Sequence, residues 1–288
     1  MNIVPDNVPN INESNEIIKK YIKNDKPFTI VRTPAETIIA LKYKQTGNIS
    51  NQDIKALSEC AGIYANNITL IQKFLDIYLD ATKNGDILAC FNMYQHIENQ
   101  KYLSEKYNLQ KIFSRSIEPW YACMQNVKPW TLNLYDKKVL IISPFTDSFQ
   151  KQIKNNFKIF KDKEIFHSEQ KFDFYKCYQT SAGNHIHSNW LETFTIMCND
   201  IKKLDFDIAM LGCGGYGVPL CDYIKRKLNK SAIYIGGGLQ LRFGVMGKRW
   251  ENREDWKQII AENKCNFIHP SGDEIIKNKH LLEGGCYW

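Results

Sequence analysis

Residues 206–238 read FDIAMLGCGGYGVPLCDYIKRKLNKSAIYIGGG: an apolar run, a glycine-rich turn, an amphipathic stretch and a second apolar run. The outer pieces are short, continuous and β-rich, while VPLCDYIKRKLN between them returns its apolar residues at helical spacing. That succession predicts strand, turn, helix and parallel strand, because parallel neighbours need a crossover and a helix supplies one. Gly212, Gly214 and Gly217 stand at GxGxxG spacing in the turn, with Gly215 beside them. Glycines let a backbone turn sharply and approach a ligand, and free N–H groups at a helix start face an anion, which makes these four candidate phosphate contacts. The same glycines also suit a turn that merely packs a helix close to a strand, and both readings stay open.

Working outward, the pattern repeats. FTIVR (28–32), DILACFN (86–92), KIFSRS (111–116), KKVLIISPF (137–145) and FDFYKCYQ (172–179) are further strand-like runs. Helix-like segments such as LIQKFLDIYLDATKN, TDSFQKQIKNNFKIF and SNWLETFTIMCNDIKKL fill the gaps. Continuous apolar strands such as VLII and IAML require cover on both faces, so the chain is expected to be α/β and Rossmann-like, a largely parallel sheet with helices on both sides. The Asn-rich residues 1–15 read as a mobile tail and 16–288 as one α/β domain. Whether PWTLNLYDKK, near 129–138, divides it into halves 16–130 and 131–288 or links two parts of one sheet is left open.

With 288 residues, 43% apolar and 24% charged, the chain can bury a full core, which excludes a disordered tail or a disulfide-stapled miniature fold. It has no run of 18 or more uncharged apolar residues and no signal-peptide pattern, and its nine cysteines include no CxxC. A soluble protein in the reducing cytoplasm is the expectation. The formal charge is +7, but 32 of the 38 cations are Lys spread along the chain. A lysine-covered exterior accounts for them better than nucleic-acid binding does. The six arginines are more selective. Arg32, Arg115, Arg242 and Arg249 each stand at the end of a strand-like run or beside glycines, where a planar fork of five donors can hold phosphate or carboxylate.

Downstream of the first turn, GGGLQLRFGVMGKRW (236–250) interleaves glycines with Arg242, Lys248 and Arg249 and closes on Trp250. Such a loop suits a nucleotide or sugar phosphate, with Gly237 and Gln240 among the candidate contacts. A dinucleotide site would add an acid at the end of the strand after the turn. Here that strand ends in Gly236, Gly237 and Gly238, which argues against NAD. Asp205-Phe206-Asp207 spells DxD but precedes its strand, so it reads as strand-start capping, and His185 and His187 read as a polar loop rather than a metal pair. The closing GGCYW is too apolar for a frayed end, and Trp288 is expected to pack near the glycine-rich loops.

The blocks GxGGYGxPL, IGGGLQLRFGVMGKRW and EGGCYW, with SIEPWY at 116–121 and VLIISPFTDSFQKQ, resemble an α/β family associated with polysaccharide biosynthesis. That family is distantly similar to the GT-D-type glycosyltransferases. The likeness runs from about residue 27 to 288. It implies a glycosyltransferase-like enzyme passing a sugar from a nucleotide-diphosphate sugar to a glycan or lipid-linked acceptor. In GT-D-type enzymes the first strand ends in an Arg followed by a short Asp-x-Glu element that serves metal and nucleotide-sugar binding. The corresponding FTIVRTPAET gives Arg32 and Glu36 and puts Pro34 at the Asp position, which leaves a divalent metal in question. Glycosyl transfer with inversion needs a base for the acceptor hydroxyl, and Glu36, Glu118 and Asp147, each just beyond a strand-like run, are the candidates. A Rossmann-type oxidoreductase, a methyltransferase and a non-catalytic nucleotide-sugar binder remain as alternatives.

Overall fold

The computed structural model describes residues 5–288. Seven strands form one sheet: β1 (Thr29–Arg32), β2 (Ile87–Cys90), β3 (Gln110–Phe113), β4 (Val139–Ser143), β5 (Phe172–Lys176), β6 (Ile208–Leu211) and β7 (Ser231–Tyr234). Their order is β3-β2-β1-β7-β6-β4-β5 and every pairing is parallel. Six strands fall within runs the sequence marked, and β3 begins one residue ahead of its run, 111–116.

Burial follows the pleat. Ile30, Ile87, Ile112, Ile141, Met210 and Ile233 belong to one core, and Val31, Leu88, Leu140, Leu211 and Ala232 to the other. Successive side chains point to opposite faces, so two cores flank one sheet. The first core takes Ile18, Phe149 and Trp256 from the helices Ile11–Lys23, Thr146–Lys154 and Glu254–Asn263. The second takes Leu41, Phe74, Met197 and Ile224 from the helices Ala35–Thr46, Ile68–Lys83, Trp190–Ile201 and Gly217–Leu228. Each fully buried aliphatic or aromatic side chain contributes about 1.5–3 kcal/mol, and that anchorage keeps the strand ends fixed. The edge strands QKIF and FDFYK carry charge and are partly exposed, which blunts edge-to-edge pairing.

Two local expectations need correction. Residues 10–15 are not a mobile tail. Asn10 caps the helix Ile11–Lys23 reciprocally with Glu13, at 2.9 and 3.0 Å, and the buried Asn15 amide bonds Lys128 O at 2.9 Å and Trp130 N at 2.7 Å. The apolar face of that helix outweighs the polar composition around it. Residues 1–4 of the expected tail lie outside the described residues. The helix read across 146–160 ends at Lys154, and Asn156 turns left-handed at φ 55°, a conformation Asn tolerates and a helix cannot continue through.

The segment near 129–138 links two parts of one sheet. Trp130 is fully buried, and its indole N–H donates to Ser116 O at 2.9 Å. β1, β2 and β3 run outward from the centre, and β7 returns to pair with β1, so the strand order changes direction between β1 and β7. Parallel sheets bind ligands in the crevice outside the strands' carboxyl ends at such a point. Asp205 and Asp207 lie at the opposite edge, where Asp207 accepts from Lys138 N at 2.7 Å. All nine cysteines are free, and among the described residues no helix is long and apolar enough to cross a membrane.

Candidate functional site

A pocket of about 390 Å³ opens over the carboxyl ends of β1, β2, β3 and β7. Four of the six arginines line it: Arg32, Arg115, Arg249 and Arg253. Each comes from a different segment. Arg32 ends β1, Arg115 stands in the turn after β3, Arg249 in the short helix Lys248–Glu251, and Arg253 caps the helix Glu254–Asn263. Only folding brings them together.

The guanidinium of Arg32 lies 4.5 Å from the Phe91 ring centroid and donates through Nη1 to Ile235 O, while its Nε is buried without a partner. Burial lowers its pKa, and Glu118 opposes the shift. Arg115 Nη1 bonds Glu118 Oε2 at 2.9 Å, and its guanidinium carbon sits 5.0 Å over Tyr121. Arg249 pairs with Glu283 and donates to Tyr287 Oη at 3.2 Å. Arg253 pairs with Asp255 and donates to Tyr121 Oη at 3.3 Å. Phe91, Asn92, Met93, Phe113, Ser114, Gly237, Gly238 and Trp250 complete the wall, and Glu118 is the pocket's single carboxylate. Cations of this density at a concave site select an anion.

The second glycine run is built around these side chains. Gly236 has φ +75°, and a Cβ there would come within 2.8 Å of Arg32 Nη1. A Cβ at Gly237 would meet the Tyr287 ring at 2.2 Å, and one at Gly238 would meet Glu118 Oε1 at 2.1 Å. Bare backbone is what lets Arg32, Tyr287 and Glu118 close in together. Gln240 ties the run to a C-terminal strap, residues 284–288, donating to Val245 O at 3.3 Å and Tyr287 O at 3.1 Å. The strap itself is docked as expected. Trp288 is 4% exposed, its indole N–H reaches Glu274 O at 2.7 Å, and Arg249 N bonds Cys286 O at 3.0 Å.

The first glycine turn does something else. A Cβ at Gly217 would strike the Tyr234 ring at 2.2 Å, one at Gly215 would strike Ile63 at 2.8 Å, one at Gly212 would lie 2.9 Å from Gly236 O, and one at Gly214 would lie 3.0 Å from Ala61 O. Gly215 N bonds Ala61 O at 2.9 Å and Tyr234 Oη donates to Gly214 O at 3.0 Å. Protein fills the space beside this turn. The ligand-like signal of its spacing is met by packing, and the open pocket lies one strand away.

Other candidates separate in the same way. Arg242 points into the first core, 4.5 Å from the Phe166 centroid, and burial lowers its pKa to about 10. Lys248 is exposed and does not line the pocket. Asp147 is exposed at the start of the helix Thr146–Lys154 and pairs with Lys176. Glu36 is buried outside the pocket, and burial, then the Glu283 charge, raises its pKa. His185 stacks on Tyr64 at 4.1 Å and His187 Nδ1 lies 2.9 Å from Thr193 Oγ1. Among the described residues no group of three or more His, Cys, Asp or Glu side chains is arranged to hold a metal ion. Sequence reasoning passed over Arg253, which has no glycine or strand end beside it, and Phe91, whose place directly beyond β2 matters only once β2 is known to neighbour β1.

A family model described as a GT-D fold-like domain matches residues 10–241. The match covers all seven strands and stops short of Arg249, Arg253 and the strap. Neither the curated proteins nor the solved structures give a match to this chain.

Proposed function

The chain belongs to the GT-D-like family, and from that premise we propose that it is a glycosyltransferase-like enzyme that binds a nucleotide-diphosphate sugar in the arginine pocket. The observation that carries this reading is the convergence of Arg32, Arg115, Arg249 and Arg253 over the carboxyl ends of β1, β3 and β7. A diphosphate places several oxygens within reach of such planar forks, and Phe91 and the exposed Met93 offer apolar surface for a base or sugar ring. The acceptor in this reading is a glycan or a lipid-linked saccharide.

Among the three candidate bases only Glu118 lines the pocket. Its Oε2 is held by Arg115, and its Oε1 lies against Gly238. In an inverting transfer Glu118 takes the acceptor hydroxyl proton as that oxygen bonds the anomeric carbon. The bond from that carbon to the phosphate oxygen breaks, and the electron pair leaves with the diphosphate, steadied by the arginines. A non-catalytic nucleotide-sugar binder is favoured by one observation: Arg115 already occupies half of the only carboxylate.

Thermal melting with UDP-, GDP- and dTDP-sugars tests the reading. A ligand at a hundred times its Kd adds about 2.7 kcal/mol to stability, so one series should raise Tm, and Arg249→Gln or Arg253→Gln should cut the rise to about half. No shift with any nucleotide sugar at millimolar concentration rejects it. Hydrolysis or transfer by the parent protein that Glu118→Gln lacks separates the enzyme from the binder.

A further inference from the structure

We propose that this pocket neutralises the ligand's diphosphate with guanidinium groups alone and recruits no divalent cation, an inference that rests on the nucleotide-sugar reading above. The GT-D-type metal element does not fit these residues. Its Asp position holds Pro34, whose side chain has no oxygen. Glu36, the other half of the element, lies outside the pocket's wall. The one carboxylate that does line the wall, Glu118, is bonded to Arg115 at 2.9 Å. A dication bound there would have to displace that arginine and sit among Arg32, Arg249 and Arg253. The remaining oxygen-bearing side chains of the wall, Asn92 and Ser114, are neutral, and the carboxylates of Glu283 and Asp255 are already held by Arg249 and Arg253. Magnesium and manganese take hard, anionic oxygen donors, and the wall supplies the opposite.

The same wall does what a metal would otherwise do. Each guanidinium presents five N–H donors in a fixed plane suited to phosphate oxygens. Arg32 brings a buried Nε that has no partner. Arg249 and Arg253 are held by Glu283 and Asp255, whose side chains are 54% and 40% exposed. Those carboxylates can turn to water when a phosphate arrives, so the two arginines are available at little cost.

Inorganic pyrophosphate isolates the charge from the identity of base and sugar. The full chain, treated with EDTA, is titrated with pyrophosphate by calorimetry and by thermal melting, then again with added MnCl2 or MgCl2. Binding is expected in EDTA, with added metal leaving Kd unchanged or weakening it by sequestering the anion. Arg249→Gln and Arg253→Gln should each weaken binding by about tenfold, the loss of one charge-assisted contact. Arg226→Gln, on the surface of the helix Gly217–Leu228, serves as the folded control and should bind as the parent does. Binding that appears only with Mn²⁺ or Mg²⁺ overturns the metal-free inference and leaves the nucleotide-sugar reading standing. Binding in EDTA that neither pocket variant reduces overturns the assignment to these arginines. No stabilisation by pyrophosphate or by any nucleotide sugar, with or without metal, removes both.

Discussion

The carboxyl of Glu36 sits near the amino end of the helix Ala35–Thr46, 8% exposed, with Tyr78, Tyr234 and the charge of Glu283 around it. Burial raises its pKa above the ordinary value. Between that ordinary value and the raised one the unfolded chain has released a proton that the folded chain keeps, so stability falls as pH rises through the window. Glu36→Gln keeps the shape and removes the titration. The variant should melt with the parent near pH 4 and above it at pH 8; equal Tm values across that range would show that burial imposes no ionisation cost here. Glu36 was visible in the sequence as an acid past a strand. Its exclusion from the pocket was not, because one residue of rotation on a helix decides which side a side chain meets.

At the scale of elements, the two glycine turns divide by what crowds them. Gly217→Ala pushes a methyl group into Tyr234, an overpacking that costs about 1–3 kcal/mol, and should lower Tm without changing the affinity for pyrophosphate. Gly238→Ala collides with Glu118 instead, and the same assays should show binding or turnover lost beyond any change in Tm. A Gly217 variant that binds poorly while melting normally would return the first turn to the ligand site. The strap gives a separate prediction. Trp288→Ala removes a buried indole and its bond to Glu274 O, and large aromatic truncations cost about 3–5 kcal/mol. Denaturant melts should show a loss of that order, and amide exchange at Arg249, bonded to Cys286 O, should quicken in the variant and be slow in the parent.

Across the whole molecule, the strand order β3-β2-β1-β7-β6-β4-β5 carries the residues after β1, β2, β3 and β7 to one rim and leaves those after β4 and β5 at a distance. A nucleotide sugar should therefore slow amide exchange at 91–93, 113–118 and 236–253 and leave 212–217 as it was; protection confined to 212–217 would place the ligand elsewhere. The sequence by itself determined the seven strands, their parallel sense and the helical cover, because continuous apolar runs broken by amphipathic stretches admit few other arrangements. It also marked Arg32, Arg115, Arg249, Glu118 and Gly237, each by its position at a strand end or beside glycine. The tertiary structure alone decided which of them meet. Gly212 and Gly217 are spaced for a phosphate yet face Leu239 and Tyr234 respectively, and Arg253, which no local pattern singles out, lands beside Arg115 through their shared contact with Tyr121. Local pattern reflects the bonding needs of neighbouring residues, whereas a pocket is made by segments some two hundred positions apart, and their meeting is set by strand order and the packing of two cores.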